Sequence, residues 1–500
     1  MRRWRLWRFA VSVLCLFGAL RGVSGAVARP EKLSPEFHRN RLQELYRHCP
    51  DGLILLRGEL SWYRKREFRT FDSTYADFNF KQEKNLYYLT GIEVPDSFVL
   101  IDPKRREVRV YSDWKGEREL QELKKLDYVS GPFPAAQFLH DVWLRSVDYS
   151  VLYALYEPFL EAGTLYGKTG ALSGIFPPGM AEPVTEETQF AHKLAEVFAG
   201  ERVVSLYPVL LAMQKIKQPE EIRLLRRANE IAVQGVVEGI KAIRPGLYDH
   251  DIAAVMEYVF VRQGSVAPTF AFNIMSGPNS FLNLLPLWSD YYHLDRQMNA
   301  GEGVFLDVGA EIGYYVSDMG RTAPVSGRFS PEQKTLYEAY LPCFRKAEQG
   351  IRPDVTQRDL VKICASCARN ELHEVHEPYA KAALEHFVRE LESHSSLGHY
   401  QDMNVLGAGP GDDEPLQAGM VFAIEPVLYS KEQNFAVFLE DVVLVTDGGY
   451  EVLSRGLPYT VEEVEALMRQ KEYYRGFRSP LKRSRSSFTV LLETIGPPVL

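Results

Sequence analysis

Val304-Phe305-Leu306-Asp307-Val308-Gly309, followed closely by Tyr314-Tyr315-Val316-Ser317-Asp318, reads as two apolar β-like runs, one carrying and one ending in an aspartate, around a glycine-bounded turn. With the turn centred between Ile312 and Gly313, antiparallel pairing sets Asp307 directly opposite Asp318 on one face, Cβ atoms about 5 Å apart. Like charges so placed destabilise a strand pair unless a cation lies between them. A metal ion would serve.

The construction recurs. Phe422-Ala423-Ile424-Glu425 and Ala436-Val437-Phe438-Leu439-Glu440 flank the polar turn Lys431-Glu432-Gln433-Asn434, whose centre places Glu425 opposite Glu440. Each glutamate ends an apolar run, where an unpaired charge is costly to bury. His399, in Leu397-Gly398-His399-Tyr400, falls between the two hairpins. Four carboxylates and one imidazole are a hard, oxygen-rich set suited to manganese, cobalt, iron, zinc or magnesium rather than copper. Taken singly, each acid reads as a solvated strand end and His399 as a loop histidine. Two symmetric acidic hairpins favour a metal centre.

Around these hairpins, helical patterns at about 219–243, 249–263, 330–349 and 356–374 alternate with β-rich segments near 267–276, 303–318, 420–428 and 435–446. Two similar helix-plus-strand halves imply an α+β domain with an antiparallel sheet. Upstream, from about Pro30 to Leu210, apolar runs such as Gly52-Leu53-Ile54-Leu55-Leu56 and Ser97-Phe98-Val99-Leu100-Ile101 alternate with charged, helix-favouring stretches, an α/β pattern. Pro219-Glu220-Glu221 opens the first helix of the second domain, with proline in the first turn and acids complementing the dipole. The expected division is residues 1–28 as an export signal, 29–214 as the α/β domain, 215–470 as the α+β domain and 471–500 as a basic tail.

The signal is expected because Arg2, Arg3, Arg5 and Arg8 precede an apolar run from Phe9 to Leu20 and small residues at Ala26-Val27-Ala28. That run is too short to span a bilayer, so cleavage near residues 25–28 and export, periplasmic or secreted, are expected without a stable membrane anchor. The composition, 500 residues with 46% hydrophobic and 25% charged, suits two or three globular domains. Residues 1–28 hold five Arg and no acid, so of 58 basic and 66 acidic residues, 53 and 66 follow the signal, moving the net charge from −8 to −13. Such acidity gives no support to nucleic-acid binding. Cys364-x-x-Cys367 lies in the 356–374 helix with no second pair to complete a zinc site, and reads as a packed or redox-inert pair, with a disulfide in an oxidising compartment as the alternative.

These segments resemble the aminopeptidase P and prolidase family of metallopeptidases, across most of the chain. Phe80-Lys81-Gln82 and Leu86-Tyr87-Tyr88-Leu89-Thr90-Gly91 look like that family's creatinase/aminopeptidase P-type N-terminal domain. Ile216-Lys217-x-Pro219-Glu220-Glu221, Ser276-Gly277-Pro278-Asn279-Ser280, Ser317-Asp318-Met319-Gly320-Arg321-Thr322, Gly419 to Pro426 and Leu439-Glu440-Asp441 look like its pita-bread catalytic domain. The resemblance implies two divalent ions, manganese favoured with cobalt, zinc or iron as alternatives. Asp307 would chelate one, Asp318 and Glu440 would bridge both, and His399 and Glu425 would complete the second. It implies a bridging hydroxide that attacks peptide bonds next to proline in short peptides, with Glu425 as the catalytic proton carrier, and homo-oligomers are common in the family.

The outer residues depart from the family pattern. Leu406 stands where a second histidine is usual, Phe438 where an arginine is usual, and Leu284 or Asp290 where a further histidine is usual. His293 and His394 are the nearest imidazoles and the candidates for substrate binding. Tyr291, Tyr292, Tyr314, Tyr315 and Tyr400 crowd the ligand segments, as hydrogen-bond donors or as ordinary strand packing. Three readings follow: an exported Xaa-Pro aminopeptidase or prolidase, a pita-bread enzyme adapted to a non-peptide small molecule, and a metal-stabilised binding protein without turnover.

Overall fold

The computed structural model describes residues 31–61, 80–155, 186–198, 202–265, 268–270, 272–284, 296–407, 409 and 411–470. The expected signal at 1–28, the tail at 471–500, His293, Asp290, Tyr291 and Tyr292 lie outside the described residues.

Strands β1 (Gly52–Arg57), β2 (Phe98–Asp102), β3 (Glu107–Tyr111), β4 (Val129–Phe133), β5 (Val151–Ala154) and β6 (Arg202–Ser205) form one mixed sheet in the order β4-β3-β2-β1-β5-β6. β1 pairs antiparallel with β2 and parallel with β5. Its unbroken apolar run needs cover on both faces because successive side chains alternate. Ile54 and Leu56 join a core with the helices Pro35–His48 and Lys84–Thr90, whereas Leu53 and Leu55 meet Phe138–Ser146 and Glu186–Val197.

The second sheet is built from β7 (Asn273–Ser276), β8 (Gly303–Val308), β11 (Met319–Pro324), β12 (Val421–Ile424), β13 (Val427–Ser430), β14 (Phe435–Thr446) and β15 (Gly449–Val452), while β9 (Glu311–Ile312) and β10 (Tyr315–Val316) form a separate two-stranded hairpin between β8 and β11. Its order is β12-β14-β11-β8-β7, with β13 and β15 also on β14, and these pairings are antiparallel. The helices Pro219–Ala242, Asp249–Arg262, Pro331–Gln349, Gln357–Glu374 and Pro378–Ser393 pack against one face, meeting Val304, Leu306, Val308, Val437 and Leu439. Helix starts follow their capping residues: Ser330 and Thr356 each close a capping box, with Gln333 and Asp359. The residues alternating with that apolar set, Phe305, Asp307, Phe438 and Glu440, face the other way. The two sheets share a core in which Tyr314, Tyr315, Val421, Val442 and Leu444 meet Leu86, Tyr87 and Tyr88.

The first acidic hairpin has a different register from the one its sequence suggests. Asp307 faces Gly320, not Asp318, and Ile312 faces Tyr315. The turn therefore centres between Gly313 and Tyr314, one position later than expected. Both residues have positive φ, +55° and +75°, as a two-residue type I′ turn requires. Tyr314 is an uncommon occupant of that conformation, and contacts from the first domain hold it there. Its ring stacks on Tyr87 at 3.9 Å, while its hydroxyl accepts from the Gln82 amide and donates to Glu93. The slip is two residues, so it preserves the faces, and Asp307 and Asp318 become diagonal neighbours.

Behind the carboxylate face, the fully buried Arg321 clamps β11 to β14. It donates to the carbonyls of Pro458, Gly320 and Glu440 and pairs with the buried Asp441 at 2.9 Å. Arg321→Met should destabilise the protein by about 3–5 kcal/mol, because Asp441 is left charged and unpaired in the core. Urea unfolding followed by circular dichroism checks this. The added change Asp441→Leu should recover part of the loss, and a single variant within 1 kcal/mol of wild type would contradict the clamp.

Candidate metal centre

One row of residues crosses the second sheet. Asn273 faces Asp307, Asp307 faces Gly320 and Gly320 faces Glu440. The pairs Ile424 with Asp441 and Val427 with Phe438 bracket Glu425 opposite Glu440, the register anticipated from the second hairpin. Glycine at the middle of the row is required sterically, since a Cβ on Gly320 would lie 1.9 Å from the Phe438 ring. The Phe438 ring, from the neighbouring row, covers the space a side chain at 320 would fill. Asp318 projects from the same face two residues earlier.

His399 reaches the row because its segment runs beside β12. The Ala423 amide donates to the His399 carbonyl and the Glu425 amide to the Leu397 carbonyl, both at 2.8 Å. Its Nε2 lies 3.3 Å from Asp318 Oδ2 and 3.5 Å from Glu425 Oε1. Ligand atoms of Asp318, His399 and Glu440 all fall within 4.8 Å of one another.

The electrostatics are those of crowded acids. Burial, then the charges of Asp318 and its neighbours, hold Asp307 and Glu440 well above the usual carboxylate range. Burial pushes Glu425 up to about 7. Burial works against a charged His399, but the hydrogen bond to Asp318 and the charge of Glu425 outweigh it and lift the imidazole to about 9. Asp318 Oδ1 and both Glu440 oxygens are buried with no hydrogen-bond partner among the described residues. Buried polar oxygens are normally satisfied, and three orphaned acceptors beside an imidazole fit hard divalent cations. Asp307 is the exception, since Asn273 Nδ2 donates to its Oδ2 at 2.7 Å. Asn273 was not singled out from the sequence; its signal was its place two residues before Met275 on a strand facing Asp307.

The neighbouring row on this face is apolar. Met275 faces Phe305, Phe305 faces Thr322 and Phe438 faces Val427. The Phe305 and Phe438 rings stack at 4.3 Å and 15°. Thr322 Oγ1 accepts from the Phe438 amide and donates to the Ala436 carbonyl, holding β11 and β14 together beneath the rings. Phe438, where the resemblance implies arginine, is thus sealed into a hydrophobic cluster.

His394 is not brought to the cluster. It is the exposed residue that ends the Pro378–Ser393 helix, its Nδ1 on the Glu390 carbonyl of the same helix at 2.6 Å. Leu406 is half-buried in the bend that follows Tyr400. The described tyrosines serve the framework: Tyr315 donates to the buried Glu221 at 2.9 Å and Tyr400 packs edge-on against Phe422.

Comparison with known proteins agrees with this architecture. Residues 223–447 match metallopeptidase family M24, and residues 38–118 match the aminopeptidase P N-terminal domain. The Xaa-Pro aminopeptidase of Haemophilus influenzae is 25% identical, covering 87% of this chain and 97% of its own. The Xaa-Pro dipeptidase of Pyrococcus horikoshii is 31% identical over 49% of this chain and 64% of its own. The solved structure of proline aminopeptidase P II from Yersinia pestis aligns with a TM-score of 0.67 at 21% identity, over 87% of this chain and 99% of that one. With an aminopeptidase P N-terminal domain joined to a pita-bread domain that carries the carboxylate row, the chain belongs to metallopeptidase family M24, as a metal-dependent hydrolase of the aminopeptidase P type.

Proposed function

We propose that the protein is an exported, dinuclear peptidase that cleaves short peptides next to proline, as an Xaa-Pro aminopeptidase or prolidase. The observation that carries this reading is the buried carboxylate row with His399 beside it and three orphaned oxygens pointing into one space. The substrate class rests on the Xaa-Pro aminopeptidases and dipeptidases among its relatives. The arginine-rich, short apolar start supports export.

Asp318 and Glu440 are assigned as bridging ligands, Asp307 as the remaining ligand of one ion, and His399 and Glu425 as those of the other. Oxygen-rich coordination favours manganese. Bound there, divalent ions would bring the pKa of a water near neutrality and polarise the scissile carbonyl. Glu425, at the rim of the row beside His399, would take the proton of the nucleophile and return one to the leaving amine. Asn273 holds the Asp307 carboxylate in its ligating orientation through the 2.7 Å hydrogen bond.

The Phe305–Phe438 stack favours a second reading, an enzyme adapted to a non-peptide small molecule. A cation at position 438 that would steady the substrate is replaced by a ring packed away in the sheet face. Loss of one such donor typically costs about 10²–10³ in rate, so turnover of ordinary Xaa-Pro peptides should be slow.

Incubation with manganese and a panel of Xaa-Pro, Xaa-Pro-Yaa and non-proline peptides separates the two. Release of the N-terminal residue only from proline-containing members is expected. Two bound metals with no release from any peptide would overturn the peptidase reading in favour of the second. Asp318→Ala and Glu440→Ala should each lose both metal and hydrolysis, and full metal occupancy in either variant would refute the bridging assignment. Asn273→Ala should retain the fold yet weaken metal binding about 10–100-fold, as measured by metal titration.

A further inference from the structure

Glu83 caps the helix Lys84–Thr90 of the first domain, accepting from the Asn85 and Leu86 amides. The lysines on either side of this start cross into the second domain. Lys81 Nζ donates to Glu311 Oε2 at 2.5 Å, and Lys84 Nζ donates to the Met403 carbonyl at 2.6 Å and to Asn404 Oδ1 at 3.0 Å. The two segments they grip are neighbours, because Val316 faces Glu311 in the β9–β10 pair and donates its amide to the Asp402 carbonyl at 3.4 Å. β10 leads directly to Asp318, and the gripped bend follows His399. That bend folds back on itself. The Asn404 amide donates to Asp402 Oδ1 at 2.7 Å, and the Gly407 amide returns to the carbonyl of Tyr400, next to His399, at 2.6 Å.

We propose that Lys84 is a positioning residue for hydrolysis, through which the first domain fixes the 402–407 bend as the substrate-side wall of the metal centre. The inference rests on the peptidase reading. Neither acceptor of Lys84 is an assigned metal ligand, and His399 has its own anchorage on β12 through the Ala423 amide. Lys84 therefore acts on what surrounds the ions and not on the ions. The Met403 side chain is buried in the core shared by the two sheets, so the bend stays docked without the lysine. What the lysine sets is the backbone path. An ammonium has three donors and no acceptor, and two of its donors here hold a backbone carbonyl and a side-chain oxygen of adjacent residues. Such charge-assisted bonds are stronger than neutral ones and remove conformers that the bend would otherwise sample. Leu406 lies in this bend and offers no polar group, so the wall contributes there by shape, which depends on that path. A wall already in place lowers the ordering cost of binding a short peptide.

The test compares the manganese-loaded wild type with Lys84→Met, and with Asn404→Ala as a second variant that leaves the first domain untouched. Lys84→Met should raise KM for Xaa-Pro-Yaa peptides about tenfold, the scale of one hydrogen bond to a charged group, with kcat within about twofold. Asn404→Ala should move KM in the same direction, and metal titration should be unchanged in both. Amide hydrogen exchange needs no substrate, and in Lys84→Met it should quicken at residues 403–407 but not in β8, β12 or β14. An unchanged KM, a loss of metal affinity or unchanged exchange in the bend would each overturn the proposal. A wild type that hydrolyses no peptide sinks the peptidase reading by itself, and the exchange result then decides for or against the lysine.

Discussion

The whole second domain is organised around one electrostatic liability: four carboxylates sharing a water-poor sheet face. Two unit charges 4 Å apart repel by about 4 kcal/mol even at an effective dielectric of 20. Three such contacts would match the entire stability of a typical domain, about 5–15 kcal/mol. The row can persist only if protons or cations compensate it. The upward displacement of Asp307, Glu425 and Glu440, and the retained proton on His399, are what the protein's own groups do about the repulsion. Divalent cations would relieve the same repulsion without filling the site with protons. The liability would thus be the source of metal affinity.

Holding those charges together falls to the opposite face. β14 is twelve residues long and pairs with β11, β12, β13 and β15, so a single strand carries Glu440 and registers Glu425 against it. Immediately behind the row, Arg321 ties the carbonyls of Gly320 and Glu440 to one guanidinium. A cation on the helix side therefore fixes the spacing of anions on the metal side, through backbone rather than through charge alone. Its own pairing with Asp441, which also accepts from Ser454, keeps that cation neutralised within the helix-side core.

How much of this could be read beforehand differs between the two hairpins. The second is local: Lys431-Glu432-Gln433-Asn434 is a polar turn between alternating apolar runs, and its centre sets the pairing of Glu425 with Glu440 correctly. The first depends on Tyr314 adopting a positive φ, which nothing adjacent to it in the sequence advertises. The stabilising partners are Tyr87, Gln82 and Glu93, more than two hundred residues away in the other domain. The carboxylate face survived that error because a slip of two residues leaves side-chain direction unchanged. His399 was legible by type, and Arg321 was quoted within a motif without its structural role being evident. The role of Asn273 was not legible, since it arises from the approach of strands distant in sequence.

The same logic explains what the departures at the outer positions mean physically. Phe438 is one member of a row with Met275, Phe305 and Val427, tied by Thr322 beneath it. An arginine placed there alone would push a guanidinium into that cluster, where burying an unpaired charge is costly. The aromatic and aliphatic neighbours, and the glycine at 320 over which the Phe438 ring packs, fit the phenyl group and not a cation. What differs from the family pattern is therefore a packed layer beside the carboxylate row rather than one residue within it, while the groups proposed to hold the ions stay together. If the carboxylate row holds the ions as proposed, ion binding and substrate grip are separable in this fold because they would occupy successive rows of one sheet, and the second row can be rebuilt without moving the first.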